Sequence, residues 1–331
     1  MSQPFFCSDS ARRRRFLTSS AGLGALAIAA PALRSVQADT HRETGATVPA
    51  YTRTVGDLEV TTILDGYIPF EFGVFRGIDE ASYRQQLRND YIDPAGPLNV
   101  GISAHLVRTG DRLALIDAGA ADAFGPTAGR IAAALDALGV APEDVTDLLL
   151  THMHPDHIGG AMRGGDAAFA NAAVHVADAE AAFWTDAGNR AAAGESAAGF
   201  FDAAAALLDA YGDRVNRFGG ETEPFPGARA ESMPGHTPGH TGYRLSSGDD
   251  QVLVWGDMTA IAPVQFERPG VGIVYDVDSE RAAETRRRWL DQVSADRLLV
   301  AGTHLPFPAY GHVERRGDAY AWIPEPWRYG D

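Results

Sequence analysis

Six residues set the strongest limit on what this 331-residue chain can fold into. From His152 to His157 the sequence reads His-Met-His-Pro-Asp-His, three imidazoles and a carboxylate in one short stretch. The apolar run Val145 to Leu150 leads directly into it and has the length of a short buried strand. Neutral imidazole and carboxylate are the groups that zinc and similar divalent ions accept. In an extended loop His152 and His154, two apart, can face one ion. Asp156 and His157, at the start of a following helix, can face a second. A single polar histidine at a strand end needs no ligand, but this density is poorly explained by a solvated loop.

The rest of the composition narrows the chemistry to the same groups. The 28 basic residues are all arginine, so no lysine is present for a Schiff base or a phosphate loop. The one cysteine, Cys7, precedes the globular pattern, which leaves no thiolate there to act as nucleophile or metal ligand. A formal charge of −16 argues against a nucleic-acid partner, because duplex binding rests on clustered cations.

Residues 1–38 read as an address. Arg12 to Arg15 form a basic start, Ala21 to Leu33 is a short apolar run, and small residues precede a cut after Ala38. Arg13-Arg14-Arg15-Phe16-Leu17 resembles a twin-arginine (Tat) export signal, which implies the Tat machinery as a partner and a periplasmic or secreted protein. The apolar run is too short for a membrane anchor. Cleavage would take the charge from −16 to −20.

Residues 39–331 read as one α/β domain. Leu58 to Leu64 alternates as a strand and stops at the turn signal Asp65-Gly66. Ser103 to Thr109 and Leu113 to Ile116 form a hairpin about Gly110-Asp111, and Ile131 to Leu138 is a helix stopped by Gly139. Further strands are expected at Ala173 to Val176, Arg229 to Ser232, Gly242 to Ser246, Val252 to Trp255 and Leu298 to Ala301. Helices are expected at Ala177 to Trp184, around Phe200 to Tyr211 and at Ser279 to Val293. Ala187 to Gly199 reads as a mobile loop, and the aromatic tail after Pro306 as a segment packed over an edge.

The His-x-His-x-Asp-His segment resembles the signature of the metallo-β-lactamase-fold hydrolases, and its partners follow in order. They are His236 in Pro-Gly-His-Thr-Pro-Gly-His, Asp257 in Trp-Gly-Asp and His304 in Gly-Thr-His. The resemblance covers about Tyr51 to the end and implies a four-layer αββα sandwich holding two divalent ions, zinc first, with manganese, cobalt or iron as alternatives. It assigns His152, His154 and His236 to one ion and Asp156, His157 and His304 to the other, with Asp257 bridging. Asp117, after the strand ending at Ile116, matches the aspartate that orients the histidine loop; Ala118 stands where the family usually has threonine. The implied reaction is hydrolysis by a hydroxide held between the ions, with Asp156 or Asp257 taking the proton.

Within that family, His154 stands where redox di-iron members carry glutamate, and no cysteine is available as in many β-lactamases. Phe124-Gly-Pro-Thr, Phe183-Trp184, Gly199-Phe200-Phe201 and His304-Leu-Pro-Phe-Pro resemble the methyl parathion hydrolase branch and its lactonase-like relatives. That likeness implies Phe124, Trp184 and Phe200 as an aromatic mouth, suited to small neutral esters, lactones or phosphotriesters, and a homodimer. Alternatives are a β-lactam hydrolase of the same fold and a non-catalytic periplasmic metal-binding protein. Among the other histidines, His240 is expected to hydrogen-bond within its glycine turn, and His105 and His175 to be satisfied strand residues. His41 is expected to be solvated, and His312 to stand apart from the motif or line the pocket.

Overall fold

The computed structural model describes residues 49–220 and 222–327. Residues 1–38, where an export signal is expected, together with Cys7 and His41, lie outside these described residues.

One sheet of seven strands runs Ala50–Val55, Leu58–Phe70, Leu98–Thr109, Arg112–Ile116, Asp147–Leu149, Ala173–Ala177, Val215–Phe218 from edge to edge. Its first four strands pair antiparallel and the remaining neighbours pair parallel. A second sheet of six runs Ala228–Ser232, Thr241–Ser247, Asp250–Val254, Leu299–Ala301, Tyr310–Arg316, Ala319–Pro324. Val60, Val107, Ile116 and Leu149 of the first sheet pack on Tyr243, Val254, Ala301 and Tyr310 of the second. The opposite face of the first sheet is covered by Ile131, Leu135, Ala181, Phe201 and Leu207 from helices. Trp289, Leu290 and Val293 of the helix Ser279–Ala295 cover the outer face of the second sheet. The order is therefore helix, sheet, sheet, helix, the sandwich expected of the sequence.

Three expectations are corrected. The strand beginning at Leu58 does not stop at Asp65-Gly66 but runs to Phe70, since Leu64 opposes Ser103 and Gly66 opposes Ile102, leaving Asp65 as a bulge. The extra residue re-aims the strand: Val60 faces the second sheet, whereas Ile68 and Phe70 join a separate cluster beside the site. The unpaired Asp65 is buried, and its carboxylate accepts from the backbone N–H groups of Ala120 and Gly129 at 2.9 and 3.0 Å and of Arg130 and Ile131 at 2.6 and 2.9 Å. Asp65→Asn turns an amide toward two of these donors. We expect it to cost about 2 kcal/mol in urea denaturation; a change below about 0.5 kcal/mol would show that the bulge does not depend on the carboxylate.

Ala187 to Gly199 is helical, forming Ala187–Ala193 and the start of Glu195–Tyr211. Asp186 caps the first helix by accepting from Asn189 N at 2.7 Å, and Arg190 clasps Asp202 of the second. Only Gly194, at φ 74°, breaks the run. The alanines' helix propensity outweighs the cost of Gly188 and Gly199. The tail after Pro306 does not pack over an edge but forms it, as the hairpin Tyr310–Arg316 and Ala319–Pro324. Among the described residues no helix is long and apolar enough to cross a membrane.

Candidate metal centre

Five loops meet at one end of the sandwich because the strands feeding them share a direction. Asp117 follows the strand Arg112–Ile116, and the His152 to His157 segment follows Asp147–Leu149, its parallel neighbour. In the second sheet Asp257 follows Asp250–Val254 and His304 follows the parallel strand Leu299–Ala301; His236 comes from the loop after Ala228–Ser232. The histidine loop is pressed hard onto its neighbour. A Cβ on Gly160 would lie 2.0 Å from the Ala118 carbonyl oxygen, so only glycine fits there.

The seven residues converge as two groups with one shared member. His152 Nε2 and His236 Nε2 each lie 3.0 Å from His154 Nδ1. Asp156 Oδ2 lies 3.6 Å from His157 Nε2 and 3.5 Å from His304 Nε2. Asp257 stands between the groups, 3.4 Å from His236, 3.0 Å from His304 and 3.2 Å from His157. All seven are buried.

Outer partners fix the imidazoles with their free nitrogens turned inward. His157 Nδ1 donates to Asp117 at 2.7 Å, His236 Nδ1 to Asp276 at 2.8 Å and His304 Nδ1 to the Gly101 carbonyl at 2.7 Å. Asp117 also accepts from Thr151 N and Thr151 Oγ1, and that hydroxyl lies 3.1 Å from His152 Nδ1. Desolvation, helped by the neighbouring imidazoles, holds His152 and His154 far below the ordinary histidine range, hence neutral and able to ligate. Desolvation also opposes charge on His157, but Asp257, Asp156 and Asp117 outweigh it and raise its pKa well above that range. That point of the site calls for positive charge. His157 Nε2 and Asp257 Oδ1, both buried, have no hydrogen-bond partner among the described residues and face each other at 3.2 Å. Three inward imidazole nitrogens in one group and orphaned acceptors in the other fit two divalent cations.

Two carboxylates without a sequence motif brace the centre. Glu180 is buried in the helix Asp178–Thr185 and accepts from Met153 N at 3.0 Å, Trp184 Nε1 at 2.6 Å, Thr237 Oγ1 at 2.7 Å and Gly239 N at 2.9 Å. It thus ties the histidine loop to the His236 loop; desolvation pushes its carboxyl up against those four bonds. Asp276 accepts from His236 and from Ile273 N. The partners that tie each of them to the histidine loops lie 27 to 59 positions away for Glu180 and 40 for Asp276, so no local signal marks that role.

The other histidines sort differently. His240 donates from Nδ1 to the Met233 carbonyl and accepts the Asp257 N–H at Nε2, both at 3.0 Å; desolvation lowers its pKa to about 3. It holds the Asp257 backbone rather than a metal. His175 meets Asp147 at 2.9 Å. Among the described residues His105 is only half satisfied: Nδ1 meets Thr62 Oγ1 at 3.0 Å, but the buried Nε2 has no partner. His312 lines a cleft with Arg53, Arg244 and Glu325, not the metal cavity.

Above the seven residues lies a cavity of about 350 Å³, counting the space open to solvent, lined by Ile68, Phe70, Phe124, Phe200, Ala260, Ile273 and Tyr275 together with five of the metal-site residues. Phe124 and Phe200 stand where the aromatic mouth was expected. Trp184 does not line this cavity. Its indole N–H is taken by Glu180, which seats the ring, 3% exposed, edge-on to His154 at 5.4 Å. It lines an adjoining cavity of about 820 Å³ with Phe183, Phe200, Phe201 and Tyr275, counted in the same way. Ile68, Phe70 and Tyr275 are wall residues the sequence did not reveal; the bulge that aims the first two is a long-range feature.

Comparison with known proteins agrees with this geometry. A profile of the Metallo-beta-lactamase superfamily matches residues 99–304. The structure of hydrolase AbOPH, described as in the beta lactamase superfamily, is 32% identical, with TM-score 0.78, over 85% of this chain and 99% of that one. AidC, a dizinc quorum-quenching lactonase solved with a product, N-hexanoyl-L-homoserine, is 25% identical with TM-score 0.81, over 85% and 99%. A probable metal-dependent hydrolase from Staphylococcus aureus shares the fold at 21% identity and TM-score 0.63, over 84% and 100%. Among curated proteins no sequence matches. With the profile spanning well over half of the chain and a relative 32% identical over 85% of it, this protein belongs to the metallo-β-lactamase superfamily of metal-dependent hydrolases.

Proposed function

We propose that the protein is an exported dinuclear metallohydrolase of small neutral esters, lactones or phosphotriesters, akin to methyl parathion hydrolase and its lactonase-like relatives. The observation that carries the substrate class is the wall of the cavity. Among the described residues no arginine lines either the metal cavity or the adjoining one, and outside the metal-site residues the lining is apolar except for Tyr275, Asn189 and Asp276. A carboxylate-bearing substrate such as a β-lactam would meet no cation outside the metal centre. A neutral substrate with an aryl or acyl arm buries that arm against Phe124, Phe200 and the space beside Trp184.

His152, His154 and His236 would hold one divalent ion and Asp156, His157 and His304 the other, with Asp257 shared; zinc suits these donors, as do manganese, cobalt and iron. The ions would supply Lewis acidity toward the substrate oxygen and a water acidic enough to ionise at neutral pH. The chain supplies the rest. Asp257 is fixed at its backbone by His240, and Asp156, which lines the cavity, can take a proton at its outer oxygen. The apolar wall excludes bulk water and strengthens each of these contacts. The 32%-identical hydrolase and the dizinc lactonase support a reading in hydrolysis. Export through the Tat machinery and assembly as a homodimer belong to the same proposal, resting on the Arg13-Arg14-Arg15-Phe16-Leu17 sequence and on the resemblance.

The test is turnover by the metal-loaded protein of an aryl lactone, an acyl-homoserine lactone, methyl parathion and a β-lactam. Hydrolysis of one or more of the first three is expected, lost on chelation and restored by zinc. If two metals bind per chain and none of these is cleaved, the reading fails. Cleavage of the β-lactam alone would move the protein to the other branch of the family.

A further inference from the structure

The metal cavity contains one polar side chain that neither the metal centre nor the apolar wall accounts for. Of its twelve lining residues five belong to the metal site and six are apolar; the twelfth is Tyr275. Its ring packs on Phe70 at 5.8 Å and stacks on Phe200 at 6.4 Å and 25°, with His154 at 6.5 Å. Its backbone is set by Asp276, the same carboxylate that orients His236: Asp276 accepts from Ile273 N, and Asp276 N donates to the Ile273 carbonyl. Tyr275 is thus positioned by the machinery that positions a ligand histidine. The hydroxyl has no hydrogen-bond partner among the described residues, and burial, with the Asp156 charge adding to it, favours the protonated phenol.

We propose that Tyr275 is a substrate-binding donor, giving its phenol hydrogen bond to the carbonyl or phosphoryl oxygen of the neutral substrate and so setting that oxygen over the metal centre. This rests on the neutral-ester reading above. A lone neutral donor in an apolar cavity selects by absence as well as by attraction. A ligand without an acceptor oxygen displaces water from the hydroxyl and leaves it unpaired. No bond to the phenol forms or breaks; it keeps its proton throughout.

The test uses Tyr275→Phe, which keeps the ring against Phe70 and Phe200 and removes only the hydroxyl. Three ring-matched probes are applied to the metal-loaded protein: dihydrocoumarin, an aryl lactone; dihydrocarbostyril, its unreactive lactam; and chroman, the same bicycle without the carbonyl. By calorimetry the variant should bind the lactam about tenfold more weakly and chroman within about twofold of the parent, while kcat/KM for the lactone falls about tenfold. Metal content should be unchanged. Equal weakening toward lactam and chroman, or loss of metal, would make Tyr275 a structural wall and overturn the proposal. So would a parent protein that does not distinguish lactam from chroman. If the parent cleaves no lactone yet the lactam effect appears, the hydrolytic reading falls and the donor stands. If the parent cleaves the lactone and the variant matches it in both measurements, the donor falls and the hydrolytic reading stands.

Discussion

Asp257→Ala is expected to lower kcat/KM by on the order of a thousandfold or more and to weaken metal at both positions together. Removing a hydrogen-bond partner from behind a metal ligand typically costs about 10- to 100-fold in affinity or activity, and Asp257 is closer in than any such partner. Its two oxygens lie 3.0 to 3.4 Å from His304, His157 and His236, members of both groups. Among buried imidazoles its charge is the counterweight: the adjacent His304 and His157 hold the Asp257 carboxyl well below the usual range against its desolvation. Without it, three imidazoles face a hole with no anion, and two cations brought there would repel each other unshielded. Metal content by plasma emission, followed through dialysis against a weak chelator, should fall from two per chain toward none, in step with activity. Loss of one metal with retention of the other would refute the shared role. His240→Ala offers a graded companion, because it frees the Asp257 N–H but leaves the carboxylate.

How much of this could be read from the sequence depends on how local each interaction is. The histidine segment was legible because four candidate ligands sit within six residues, and the apolar run before it announces the strand that delivers them. Helix and hairpin ends were legible where glycine or an N-cap marks them. Asp65-Gly66 was misread because turn propensity is a local signal, whereas the bulge is imposed by pairing with Leu98–Thr109, some 40 residues away. Local propensity was present but underweighted in Ala187 to Gly199, where Asp186 and the alanines outvote Gly188 and Gly199 and only Gly194 breaks the helix. Trp184 was expected at the mouth from the family resemblance. Its N–H, which burial obliges to find an acceptor, put it beneath His154 instead. The braces Glu180 and Asp276 were invisible for the same reason as the bulge: Glu180 meets residues 27 and 59 positions away, and Asp276 meets one 40 positions away.

Glu180→Leu tests whether that brace is structural necessity or incidental contact, and it should be the most destabilising single change in the domain among those considered. The leucine fills much of the space and removes a buried charge, which on its own would favour folding. It also orphans the Met153 and Gly239 backbone donors and the Trp184 indole, none of which can rotate toward water; only the Thr237 hydroxyl can find another acceptor. At about 1 to 3 kcal/mol for each buried donor left unpaired, with partial relaxation, we expect a loss of about 3 to 5 kcal/mol, read as a fall in Tm on the order of 10 °C for a domain of this size. Melting should be measured on metal-free protein, so that lost metal binding is not counted as lost stability. Glu180→Gln keeps an acceptor for Met153 and Trp184 but turns an amide toward Gly239 N, and should lose roughly half as much. Because Glu180 ties the loop of His152 and His154 to the loop of His236, the leucine variant should also bind zinc about 10- to 100-fold more weakly. The one ion that Asp156, His157 and His304 would hold should suffer less, since His157 and His304 are braced by Asp117 and Gly101 instead. A leucine variant that melts within about 1 kcal/mol of the parent and titrates two equivalent metals would show that the two loops are held by the ions themselves and that Glu180 merely fills the space beneath them.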